Sequence, residues 1–82
     1  MENRFEYYIF NKRIYAYDIS SSFIVYWEDE MWREDCNINI KTIKEGKKIS
    51  KEQAFKETNN NDPTAYVDEL IEQDMYKNIY CP

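Results

Sequence analysis

The chain has no histidine, one glycine, two prolines and two cysteines in 82 residues, and each shortage removes a class of function. Without His, proton transfer near neutral pH falls to a carboxylate, Lys or Cys with a strongly shifted pKa, and a domain this small offers little burial to shift one. A lone Gly46 cannot build a phosphate-cradling loop, which needs several glycines for close backbone approach. Ser20, Ser21, Ser22 and Ser50 have no base to activate them. Cys36 lies among acids, which raise a thiol pKa where a nucleophile needs it lowered. With Cys81 it makes a pair too small and too widely spaced for a disulfide framework or a zinc site, so both read as free thiols. No enzyme and no cofactor are expected. Glu28, Asp29 and Glu30 offer hard oxygen ligands, but a strand splits them between two faces and a calcium loop needs a longer alternating series with a Gly. No dedicated metal site is expected either.

Long apolar runs and positive charge are also scarce. No stretch approaches the ~20 apolar residues of a membrane span, and Met1-Glu2-Asn3-Arg4 lacks the basic-then-apolar layout of a signal peptide. A cytoplasmic protein without a membrane association is expected. Sixteen acidic residues against eleven basic give a net charge of −5. This argues against direct nucleic-acid binding, which needs a surplus of Lys and Arg on one face, and favours basic protein partners.

What is present in quantity is aromatic: eight Tyr, four Phe and two Trp. Large rings bury about 150–250 Å² each, so a single domain over residues 1–82 can assemble a core despite its length. Ten Ile, eight Asn, eight Lys and eight Tyr are what A/T-rich codons produce, pointing to a low-G+C bacterium or a phage or plasmid living in one.

Period-two alternation predicts three strands in succession. Phe5, Tyr7 and Ile9 oppose Glu6, Tyr8 and Phe10; Tyr15, Tyr17 and Ile19 oppose Ile14, Ala16 and Asp18; Phe23, Val25 and Trp27 oppose Ile24 and Tyr26. The breaks at Asn11-Lys12-Arg13 and Ser20-Ser21-Ser22 suit hairpin connections, and the series reads as an antiparallel meander. Asn37 to Thr42 alternates again and is expected as a fourth strand, before a turn at Glu45-Gly46-Lys47-Lys48. Ser50 has the sequence of an N-cap for a short helix to Thr58 that turns Ala54 and Phe55 inward. Asn59-Asn60-Asn61 closes it, and Asp62-Pro63 opens a second helix with Val67, Leu70, Ile71 and Met75 as its apolar stripe. The expected fold is α+β: a small antiparallel sheet of about four strands, followed by two C-terminal helices packed on one face.

Charge is unevenly spread. Residues 1–40 carry four basic and eight acidic groups, residues 41–56 six and two, residues 57–82 one and six. The bland interpretation is a solvated, soluble surface. The sharper one joins Glu28, Asp29, Glu30, Glu34 and Asp35, set around Trp32, to Asp68, Glu69 and Glu72 of the last helix as one negative patch with an exposed aromatic anchor. Such a patch suits the basic groove of a nucleic-acid-handling protein, where it would act as a decoy for the phosphate backbone.

In size, acidity, residue economy and lack of motifs the whole chain resembles the small inhibitors that phages and mobile elements direct at bacterial defence nucleases, anti-CRISPR proteins among them. The resemblance implies an inhibitor that blocks access to a groove without chemistry. The alternative is a self-associating structural or regulatory protein with no nucleic-acid-related target. If helices cover one sheet face alone, Tyr8, Phe10 and their neighbours form an apolar patch on the other, suited to a homodimer.

Overall fold

The computed structural model describes residues 4–35 and 37–77, the last four by backbone alone. The readings of Cys36 and Cys81 as free thiols, and of Met75 as part of the apolar stripe, lie outside the described residues. Five strands, β1 (Phe5–Phe10), β2 (Arg13–Asp18), β3 (Ile24–Glu28), β4 (Met31–Glu34) and β5 (Lys47–Ile49), form one antiparallel sheet in the order β4-β3-β2-β1-β5. Among the described residues three helices accompany it: α1 (Ile40–Ile43), α2 (Lys51–Glu57) and α3 (Thr64–Lys77). This is the expected α+β meander with C-terminal helices, built on five strands rather than about four.

The alternation of β1 to β3 assigns side chains to faces as the sequence predicts. Phe5, Tyr7, Ala16 and Val25 turn to one side, where they pack with Trp32, Ile49 and with Ala54, Val67 and Leu70 of α2 and α3. Tyr8, Tyr15 and Ile24 turn to the other. There the register sets Tyr8 opposite Tyr15 and Tyr15 opposite Tyr26, a cross-strand row in which the Tyr15 and Tyr26 ring centroids lie 5.9 Å apart. Such pairs stiffen a sheet by about 0.2–1 kcal/mol each.

Three segments depart from expectation, the shortest being Lys47-Lys48, expected in the turn with Glu45 and Gly46 but paired with Ile9 and Tyr8 as part of β5. Asn37 to Thr42 is not a strand, because Asn39 caps a helical turn instead: its Oδ1 accepts from the Thr42 N–H at 3.0 Å and from the Thr42 hydroxyl at 3.2 Å. The resulting α1 lays Ile40 and Ile43, with Ile38, over the tyrosine face. Tyr8 is consequently only 4% exposed, and the open apolar face on which a homodimer would rest is covered. The fourth strand lies earlier, at Met31–Glu34, inside the acidic stretch. It forms because Asp29 and Glu30 adopt φ of 57° and 61°, the paired left-handed residues of a type I′ turn whose twist matches the strands it joins. Asn11 and Lys12, at 55° and 66°, make the same turn between β1 and β2.

Gly46 has a steric role. A Cβ there would strike the carbonyl oxygen of Ile9 in β1, so only glycine lets the chain come close enough for β5 to pair on the outer side of β1. Ser50 then caps α2, accepting from the Gln53 N–H at 3.1 Å, and Asn59 and Asn60 end it in the left-handed region. Asp62 accepts from the Thr64 N–H at 2.7 Å and starts α3, which lays Val67 and Leu70 on the core.

Candidate functional site

The acidic stretch is a hairpin, and this decides the fate of its aromatic residue. Trp32 stands opposite Trp27 across β3 and β4, which puts it on the α3 side of the sheet. It is 6% exposed, packs edge-on against Trp27 at 5.3 Å between centroids, and donates its Nε1–H to the Asn61 carbonyl at 3.1 Å. The expectation of Trp32 as a surface anchor is therefore overturned: strand alternation turns it inward and a main-chain acceptor awaits its one polar atom. The neighbouring Met31, on the opposite face, is 51% exposed and is the large apolar side chain beside the acids.

The carboxylates themselves lie at the surface in three settings. Glu28 at the end of β3 pairs with Arg13 at 3.3 Å, and that guanidinium lies 4.5 Å from the centre of the Tyr26 ring. Asp29 pairs loosely with Arg33 at 3.5 Å. Glu30, at the tip, is exposed and forms no ion pair with the described residues. Further along, the Asp35 carboxylate accepts from the Asn37 N–H at 3.0 Å. On α3, Asp68 pairs with Arg4 at 2.9 Å, while Glu69 and Glu72 are exposed and, among the described residues, form no ion pair.

A hydrogen bond across the chain brings the two acidic regions together. The Glu34 backbone N–H donates to the Tyr66 hydroxyl at 3.0 Å, laying the start of α3 against β4. Glu69 follows Tyr66 by three residues and so shares its side of the helix. The acids of the β3–β4 hairpin and of α3 form a negative band that wraps both faces of the sheet edge: Glu28 stands opposite Met31, on the face away from α3, and Glu34 meets the start of the helix. It is a band and not a point: Asp68 is tied through Arg4 to Asp18, at the end of the sheet opposite the Asp29-Glu30 turn.

The lysines of the middle segment have their own place. Lys47 and Lys48 lie on β5, at the far edge of the sheet from β4, with Lys44 just before them and Lys51 at the start of α2, all four exposed. Four strand spacings separate the two edges, about 19 Å. The charge segregation seen along the sequence is therefore a segregation in space.

Both edges carry features that discourage strand addition. The Asp35 N–H bonds to the Ile24 carbonyl at 3.0 Å, so by the antiparallel alternation Trp32 and Glu34 direct their backbone groups outward from β4. Tyr66 occupies the Glu34 amide, and burial foremost pushes its hydroxyl pKa up, keeping it neutral. At the other edge β5 is three residues long with lysines at two of them, a composition that discourages pairing.

One polar cluster escaped sequence reasoning. Asp18, 0% exposed, accepts from Arg4 Nε at 3.2 Å and Nη2 at 2.8 Å, from the Ser20 N–H at 3.0 Å and hydroxyl at 2.9 Å, and from the Ser21 hydroxyl at 2.7 Å. Burial by itself raises its pKa, but Arg4 and the serine donors outweigh burial and hold it down at about 2. The signal was available: alternation places Asp18 with Ile14 and Ala16 on the core face, and a charge there requires partners. With Asp68 as the second acceptor for Arg4, the cluster ties the β2–β3 connection to α3.

Neither a protein-family model, nor a curated protein, nor a solved structure matches this chain. Among the described residues no helix is long and apolar enough to cross a membrane.

Proposed function

We propose that the chain is a small acidic interaction protein that inhibits a basic, nucleic-acid-handling protein, of the anti-CRISPR or another anti-defence type, by occupying its nucleic-acid groove. The observation that carries this reading is the division of charge across the sheet, with Glu28, Asp29, Glu30, Glu34 and Asp35 along the β3–β4 hairpin and Asp68, Glu69 and Glu72 on the helix beside it. Complementary potential of this kind accelerates encounter and orients the partner. Met31 and the Tyr26 ring under Arg13 supply apolar and aromatic contact beside the acids, in place of Trp32. The protein acts by occupancy and carries out no reaction.

Glu30, Glu69 and Glu72 carry most of the effect, because Glu28, Asp29 and Asp68 are already partly neutralised by Arg13, Arg33 and Arg4. The experiment is capture from a low-G+C bacterial lysate on immobilised protein, eluted with duplex DNA and identified by mass spectrometry. A groove-occupying inhibitor releases a basic nucleic-acid-binding protein into the DNA eluate, and Glu30→Lys with Glu69→Lys and Glu72→Lys abolishes its retention while the circular-dichroism spectrum is unchanged. Retention insensitive both to DNA and to those substitutions refutes the reading.

A further inference from the structure

Among the described residues two large apolar side chains stand exposed, Ile19 at 48% and Met31 at 51%, and each sits beside charge of opposite sign. Met31 directly follows the Glu28-Asp29-Glu30 turn at the β4 edge. Ile19 lines a cleft of about 310 Å³ at the β5 edge, floored by Phe5, Tyr7 and Ile49 and rimmed by Lys48 and Lys51. Glu6 lines the cleft as well and bridges Lys48 at 3.6 Å, yet Lys48 stays 61% exposed; Lys51 is exposed and rests its ammonium over the Phe55 ring at 5.4 Å, leaving its other side to solvent. One patch is a protruding turn with an apolar residue and two carboxylates: Arg33 lies against Met31 Sδ at 3.7 Å and Asp29 at 3.5 Å, and Glu30 at the tip forms no ion pair with the described residues. The other is a recess with an apolar floor and a positive rim.

We infer that the two fit each other: the acidic turn of one copy docks into the lysine-rimmed cleft of a second copy, Met31 against Ile19 and Phe5, Asp29 and Glu30 against Lys48 and Lys51. The occupant is a second copy because charge and apolar character match together on this one chain. The turn and the cleft lie at opposite edges and opposite ends of the sheet, in a molecule 34 × 28 × 25 Å across. They face away from each other. A two-fold pair, which needs both patches on one side, is thereby excluded, and the contact is heterologous, adding copies head to tail. Side chains hold the contact, so it is weak and sensitive to salt. The contact uses the acidic tip of the proposed partner surface without depending on that reading, since its test needs the purified chain alone.

The test is sedimentation equilibrium of the purified chain over a concentration series to about 1 mM, in about 20 mM and about 500 mM salt. In low salt the average mass rises past the dimer without a plateau, and high salt lowers the association constant at least about tenfold. Two charge-reversed variants complete it, one with Asp29→Lys and Glu30→Lys, the other with Lys48→Glu and Lys51→Glu. Each alone is monomeric, because its turn and cleft now repel. An equimolar mixture associates again, since the basic turn of the first meets the acidic cleft of the second and the unaltered pair also matches. That rescue separates docking from a folding defect. A monomeric wild type in low salt, a mass that stops at a dimer indifferent to both reversals, or a mixture that stays monomeric overturns the proposal.

Discussion

Asp18 offers the sharpest test of the packing. The substitution Asp18→Asn keeps the shape and most of the serine hydrogen bonds but removes the charge that Arg4 neutralises at 2.8 Å. In the folded protein the carboxyl titrates at about 2, against an ordinary value of 3.8. At 1.36 kcal/mol per unit, that depression contributes about 2 kcal/mol of stability. Its sign follows from the direction: a depressed carboxylate pKa stabilises the fold above the unfolded value near 4, and the contribution fades as pH falls from there through 2. Urea unfolding of the wild type and of Asp18→Asn near neutral pH should therefore differ by about 2 kcal/mol, a large share of the roughly 4–12 kcal/mol expected for a domain of this length. The gap should narrow steadily below pH ~4 and close near pH ~2. The same gap at every pH would mean that Asp18 is bonded as a neutral group. No gap near neutrality would mean that Arg4 gains as much from Asp68 alone.

Two further outcomes are expected. In a Trp27→Phe background, Trp32 should fluoresce with a blue-shifted emission and resist acrylamide quenching, and Trp32→Phe should cost about 2 kcal/mol for the lost ring volume and the N–H bond to Asn61; red-shifted, freely quenched emission would return Trp32 to the surface. Glu30→Gly and Lys12→Gly, at left-handed positions with φ of 61° and 66°, should each stabilise by about 0.5–1 kcal/mol in thermal unfolding, and destabilisation at both would refute the type I′ turns.

What the sequence disclosed follows from the range of the interactions involved. Alternation in Phe5–Phe10, Arg13–Asp18 and Ile24–Glu28 is a local pattern that burial on both faces enforces, so three strands and their inward residues were legible. The caps at Ser50 and Asp62 are equally local, and both open helices where expected. The fourth strand was not, because its turn uses Asp29 and Glu30 without the glycine that usually announces such a turn. Asn37 to Thr42 misled for a related reason: one helical turn is too short to show a period of its own, while its spaced Ile residues mimic a strand. At the surface, the separation of charge could be read along the chain. The joining of hairpin and helix could not, since it depends on Trp32 meeting Asn61 and Glu34 meeting Tyr66, contacts 29 and 32 residues apart.

The Tyr66–Glu34 hydrogen bond also sets a timetable. The hairpin carrying β4 is synthesised 32 residues before the tyrosine that seals it, an interval of roughly 2–6 s at ribosomal speeds of about 5–20 residues/s. During that time the Tyr66 hydroxyl is not there to accept from the Glu34 amide. The β4 edge therefore completes its protection only when the last helix is made, and until then the acids of the Asp29-Glu30 turn are the charges that a like hairpin would meet.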